Sequence, residues 1–144
     1  MAIQVFQVGV KALIRNDNGE ILMVHLPKWG ENPEHWDLPG GRIDDGESFL
    51  DTLNRELQEE VGTSYIDTPH QLTAMISNIV IPNGASKQTL IIVVYETKID
   101  PVADIKLDPN SAEDDMKWFD PKTASANMAT KFTPEFCQYI RNLD

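Results

Sequence analysis

The stretch from Gly41 to Thr63, GRIDDGESFLDTLNRELQEEVGT, admits few structures. Successive residues of an α-helix advance by about 100°, which puts Leu50, Leu53, Leu57 and Val61 on one arc and Glu56, Glu59 and Glu60 on a neighbouring one. One face is set for burial and another for carboxylates. Glu56 and Glu60 lie one turn apart with Glu59 beside them, so three like charges repel unless a cation or Arg55 compensates. Such an oxygen cluster suits hard ions such as Mg²⁺ or Mn²⁺. A solvated Glu-rich helix is the commoner reason for a charge run. Here, however, both ends are specified. Asp44-Asp45-Gly46-Glu47 predicts a turn and an acidic helix start, and Gly62 stands where a left-handed C-terminal cap is wanted.

Charge sharpens the argument. With 12 Lys and Arg against 23 Asp and Glu, the net charge is −11, which repels a nucleic-acid duplex or an anionic membrane. A small phosphorylated substrate meets the same repulsion, so metal and a few local cations would have to invert the field within a site. The 144 residues suffice for one domain with a sizeable core, expected to span residues 1–144. Cys137 is the only cysteine, so no intrachain disulfide or Cys-based zinc site can form. His25, His35 and His70 have no ligand-like spacing and read as surface or hydrogen-bonded residues. The N-terminal residues lack a basic head followed by an apolar block, and no apolar run reaches membrane-spanning length, so the expected compartment is the cytoplasm.

Along the chain, the alternation within Ile3 to Arg15 predicts a strand. Asn16-Asp17-Asn18-Gly19 predicts a turn, and Ile21 to Leu26 a second strand paired with the first as a hairpin. The turn lacks the full ligand pattern of a calcium loop. Pro27 to Pro39 reads as a recognition loop. Trp29 and Trp36 could stack on a base, although packing of the loop is the commoner role, and Lys28 and Arg42 are candidate phosphate contacts. Gln71 to Ile81 and Gln88 to Ile99 read as a long hairpin, and the run Leu90 to Tyr95, apolar on both faces, belongs in mid-sheet. After a loop and a short strand at Met116 to Phe119, Thr133-Pro134-Glu135 starts a closing helix. Helices on both sides of a mixed central sheet make an α/β, three-layered fold.

The Gly41–Thr63 stretch resembles the Nudix box: a glycine, five residues, Glu, seven residues, then Arg-Glu-apolar-x-Glu-Glu-x-Gly-apolar. Every charged and glycine position matches. Thr63 is the one departure, standing where the family usually has an aliphatic residue. The resemblance implies the MutT-like Nudix α/β/α sandwich and a metal-dependent pyrophosphohydrolase cleaving a nucleoside diphosphate linked to another moiety. By the same resemblance Glu56, Glu59, Glu60 and the Gly41 carbonyl would bind Mg²⁺ or Mn²⁺, and Arg55 would orient the glutamates. Glu59 or Glu113 would act as general base. Glu47 would help from the first turn and joins Lys28, Trp36 and Arg42 in the candidate substrate-binding set.

The segment that marks substrate in some subfamilies, roughly fifteen to eighteen residues after the box, holds Asn78 to Ile81 and neither of the markers sought there, proline or tyrosine. The chain's small size then favours a nucleoside triphosphate or related small nucleotide, by analogy. A homodimer is one assembly open to such a domain. Two other classes compete, a catalytically silent nucleotide- or metabolite-binding module and an acidic scaffold for protein contacts. The complete set of box carboxylates speaks against the silent module, and Mg²⁺ binding would speak against the scaffold.

Overall fold

The computed structural model describes residues 2–144. Its elements run β1 (Phe6–Ile14), β2 (Ile21–Leu26), β3 (His35–Asp37), β4 (Gly40–Arg42), α1 (Phe49–Val61), β5 (His70–Asn83), β6 (Ser86–Thr97), β7 (Asp115–Phe119), α2 (Pro121–Met128) and α3 (Pro134–Arg141). Four strands form a mixed sheet in the order β4-β1-β6-β5, with β1 parallel to β6 and the other pairs antiparallel. A second, antiparallel sheet runs β3-β2-β7.

Alternation along β1 and β6 sends side chains to two cores. Val10, Ala12, Ile14, Val93 and Tyr95 pack against Leu53, Leu57 and Val61 of α1. Leu13, Leu90, Ile92 and Val94 face the opposite way, into a cluster closed by Met128, Phe132, Phe136 and Ile140. The mixed sheet is therefore covered on both sides, which accounts for the uninterrupted apolar run in β6. Leu53, Leu57 and Val61 are completely buried, each contributing about 2 kcal/mol of transfer free energy. Among the described residues no helix is long and apolar enough to cross a membrane.

The expected pairing of β1 with β2 does not occur. The turn itself forms: Asn16 Oδ1 accepts from the N–H groups of Asn18 (3.0 Å) and Glu20 (2.9 Å), and Gly19 takes φ 77°. Beyond the single Arg15–Ile21 bridge the strands diverge into different sheets. Both edges of β1 are taken by β4 and β6, and both edges of β2 by β3 and β7, so neither has a free edge for the other. The hairpin of β5 and β6 forms as expected, interrupted by a register shift between Ile76 and Val80.

Helix α1 begins later than the acidic turn suggested. Ser48 is the N-cap and shares a capping box with Asp51, which leaves Asp44 to Glu47 ahead of the helix; Gly62 caps the other end at φ 79°. A helix at Pro121–Met128 was not expected, yet Asp120 caps it and Pro121 opens it by the same rules that start α3 at Thr133-Pro134. Within the presumed loop after β2, His35–Asp37 pairs as a strand against β2, a segment too short to show alternation.

Candidate active site

The Gly40-Gly41 turn is where α1, β1 and the recognition loop meet. Gly40 has φ 138°, and a side chain there would strike the backbone of Val10 and Lys11. At Gly41 a methyl group would overlap the Glu56 carboxylate, so the missing Cβ is what lets that carboxylate lie against the turn. Glu60 is buried and accepts from the Gly40 N–H at 3.3 Å. Its carboxyl is pushed well above the ordinary range by burial first; Lys11 opposes the shift, while Glu113 and Asp37 add to it. Glu113 is brought to the same cleft by the segment ahead of β7, where its charge adds to the rise of Glu60. That segment is pinned where the Asp114 N–H donates to the His25 carbonyl at 3.0 Å and the Asp114 carboxylate meets His25 Nδ1 at 2.6 Å.

Arg55 organises the helix side. Its guanidinium donates to Glu47 through Nε (2.7 Å) and Nη2 (2.9 Å), and to Glu56 (2.8 Å), Glu59 (3.4 Å) and the Arg42 carbonyl (3.3 Å). These bonds, with that to Glu47 foremost, raise the Arg55 pKa. The same contact, with the Asp44 N–H, holds the Glu47 carboxyl down to about 2. Arg55 is thus a positioning residue that spaces like charges by sharing its donors among them.

Deeper in lies a second charged group. Asp37, buried, accepts from Lys11 Nζ at 2.9 Å and from Lys131 Nζ on the same oxygen, Oδ2, while its Oδ1 accepts from the Leu38 N–H at 2.8 Å. Burial would raise the Asp37 carboxyl, but the two lysines hold it down to about 2. Lys131 is lowered to about 8, mainly by burial against the pull of Asp37. Lys11 is itself desolvated, yet Asp37, Glu60 and Glu113 keep it raised. His35, two residues before Asp37 on the same face of β3, places Nδ1 2.9 Å from the Pro33 carbonyl, and burial lowers its pKa. Its Nε2 is buried without a hydrogen-bond partner.

These groups line one cleft of about 520 Å³, a size suited to a nucleotide. Of the residues expected at the site, Gly41, Glu56, Glu59, Glu60, Glu113, Lys28 and Arg42 reach it. Arg55 and Glu47 stand behind the carboxylates and not on the cleft wall, so Glu47 braces Arg55 from outside the cleft. Trp36 also lies outside. Alternation turns it to the other face of β3, edge-on to Phe119 and His25 with centroids 4.8 and 5.0 Å apart. Trp29, 44% exposed, is the tryptophan at the cleft. Sequence reasoning missed Lys11, His35, Asp37 and Lys131. The one available signal was a lysine interrupting the apolar run Val10 to Ile14. A groove of similar volume between β5 and α3 offers Glu135 as its one charged residue and lacks comparable chemistry.

The Glu56, Glu59 and Glu60 carboxylates line the cleft with oxygen donors beside a turn cleared of side chains, a chemistry that fits a hard divalent cation. Among the described residues no three acidic, His or Cys side chains already stand as a closed metal-binding group. Glu56 is turned toward Arg55 and Glu60 toward the Gly40 N–H, so binding would draw them together.

Comparison with known proteins agrees with the fold. The NUDIX domain family model matches residues 5–140. Nucleoside triphosphatase NudI of Escherichia coli is 27% identical over 127 residues, covering 84% of this chain and 89% of that protein. An RNA pyrophosphohydrolase of Coxiella burnetii is 40% identical over 70 residues, but the match spans 26% of that protein's length. The crystal structure of a MutT protein from Methanosarcina mazei superposes with a TM-score of 0.65 at 26% identity, covering 97% of this chain and 94% of that one. A MutT NUDIX hydrolase from Burkholderia pseudomallei, at 20% identity, shares the fold with a TM-score of 0.67. With the box glutamates on α1, the α/β/α fold and a family match over nearly its whole length, the chain belongs to the Nudix family and is MutT-like in its fold.

Proposed function

We propose that this hydrolase takes a small nucleotide, with a nucleoside triphosphate as its substrate class, and works with Mg²⁺ or Mn²⁺. The observation that carries this reading is the convergence of Glu56, Glu59 and Glu60, from α1, and Glu113, from the segment before β7, on one cleft whose wall also bears Lys11, Lys28 and Arg42. Further support comes from the likeness to NudI, which extends over most of both chains, whereas the RNA pyrophosphohydrolase match is confined to a small part of that protein.

Glu56, Glu59, Glu60 and the Gly41 carbonyl would hold the ion. When bound, a divalent cation neutralises phosphate oxygens and lowers the pKa of water. The protein's own groups do the rest. Arg42 and Lys28, on flexible side chains at the cleft, counter the charge of a polyphosphate that a chain of net charge −11 would otherwise repel. Glu113 or Glu59 accepts a proton from the water that attacks phosphorus. Arg55 keeps Glu56 and Glu59 apart and aimed from the helix.

The test is release of phosphate or pyrophosphate from nucleoside triphosphates, nucleotide sugars and dinucleoside polyphosphates with Mg²⁺ or Mn²⁺, and with EDTA. Chelator-sensitive turnover concentrated in the triphosphates is expected. Turnover of another class replaces the substrate assignment, and nucleotide binding without turnover turns the reading into a silent binding module.

A further inference from the structure

The deep end of the cleft carries a hydrogen-bonding inventory that pyrophosphate chemistry does not use. Asp37 is saturated: Oδ2 accepts from both lysines and Oδ1 from the Leu38 N–H. Two ammonium groups share one carboxylate oxygen, and Lys131, whose side chain makes that single hydrogen bond among the described residues, has N–H donors to spare. The free acceptor is His35. A carbonyl can only accept, so the contact with Pro33 puts the ring proton on Nδ1 and leaves Nε2 as a bare lone pair, buried and unpartnered, in a residue that lines the cleft. Its lowered pKa keeps the ring neutral at pH 7. Ile79, Ile81 and Leu90, all nearly inaccessible, supply an apolar wall to the same cleft, and Trp29, part-exposed, also lines it. Two cationic donors, one neutral acceptor and an apolar wall are what a planar heterocycle with carbonyl groups needs.

We infer that the deep end is a nucleobase subsite in which Lys131 and Lys11 donate to base carbonyls and His35 Nε2 accepts from the ring N–H between them. The best-matched edge is the imide of uracil or thymine, with two carbonyls about one N–H. Cytosine and guanine each have one carbonyl on this edge and bring an amino group that competes for the single acceptor. Adenine has no carbonyl, and its amino group would face ammonium groups. The expected ranking is uracil and thymine first, cytosine and guanine next, and adenine last. This deepens the nucleotide reading and rests on it.

The loop that carries Lys131 is built for accuracy. At the register shift in β5, Ser77 Oγ and the Asn78 N–H both donate to the Lys131 carbonyl at 2.9 Å. The Asn78 amide donates to the carbonyls of Ala129 (3.2 Å) and Phe132 (2.9 Å). The bulge thus fixes the backbone on either side of the lysine, while the next residues of β5, Ile79 and Ile81, supply the apolar wall.

The experiment compares kcat/KM for UTP, CTP, GTP and ATP with Mg²⁺ in the wild-type protein, Lys131→Met and His35→Phe. In parallel, calorimetry in EDTA measures binding of UMP and AMP. Lys131→Met leaves Lys11 and Asp37 as a one-to-one pair, and His35→Phe keeps a ring of similar volume, so if one variant loses its fold the other carries the test. A UTP preference over ATP of about tenfold or more is expected, falling to within about threefold in either variant, with UMP binding weakened more than AMP binding. Triphosphate turnover with a UTP/ATP ratio near one, or a ratio unmoved by both variants, overturns the base subsite and leaves the hydrolase reading standing. Selective UMP binding that the variants abolish, without turnover of any triphosphate, supports the subsite and overturns the hydrolase substrate. Neither turnover nor UMP binding overturns both.

Discussion

The acidic rim of the cleft and its cationic floor solve the same electrostatic problem in opposite ways. On the rim, Glu56 and Glu59 come from one helix and Arg55 donates to both, so the charges are spread out and Glu59 remains 60% exposed, while Glu60 of the same helix is buried where the rim meets the floor. On the floor, Lys11 from β1, Asp37 from β3 and Lys131 from the turn before α3 are buried together, with separations of 26 and 94 residues along the chain. An exposed network tolerates the loss of a member because water replaces it, whereas a buried one leaves an unpaired charge behind. The rim should therefore be sensitive in activity and the floor in stability.

The largest effect that would test this contrast is at Asp37. Asp37→Asn strands two buried ammonium groups and should cost about 3–5 kcal/mol, read from urea unfolding, while Lys131→Met leaves a neutral pair and should cost under about 1.5 kcal/mol. Equal losses would mean that the floor is held by packing and not by charge balance. At Glu60, the buried end of the acidic set, Glu60→Gln should lower kcat by about 10²-fold or more with cooperative unfolding retained, the scale seen when an electrostatic element of a site is removed. Near-normal turnover would remove Glu60 from the ion-binding set.

Arg55→Met should have a smaller effect, about tenfold in kcat, since Glu56 and Glu59 persist but lose their common donor. A change in stability larger than the change in rate would make Arg55 structural instead. The smallest effect concerns pH. The folded-state carboxyl of Asp37 lies at about 2, below its ordinary 3.8, so its contribution is complete above about pH 4 and is lost as pH falls through 2. Lys131→Met removes one of the two cations that depress it, and the acid limb of the stability curve should move upward in pH. An acid limb that stays in place would show that Lys11 alone sets the Asp37 pKa.

Legibility in the sequence divides along the same line. Leu53, Leu57, Val61 and the box glutamates could be assigned because one helix repeats every 3.6 residues, and the capping glycine Gly62 stood where that helix had to end. The β5–β6 hairpin was likewise read from contiguous runs. The β1–β2 pairing failed because a turn determines only where a chain reverses, and competition for strand edges determines partners. Trp36 entered the candidate substrate-binding set and Trp29 did not, since nothing local tells which face of a three-residue strand looks inward.

What this sequence determined by itself is the chemistry of the rim: an amphipathic helix with three carboxylates and an arginine between capping residues, because every contact involved lies within a few turns of one helix. Only the tertiary structure decided that Glu113 would join Glu60 in one cleft, that Glu47 would hold Arg55 from outside it, and that His35, Asp37, Lys11 and Lys131 would share a buried floor. Those groups come from separate strands and a distant turn. Their proximity follows from sheet order and from which edge each strand finds free, a global property that no local period encodes.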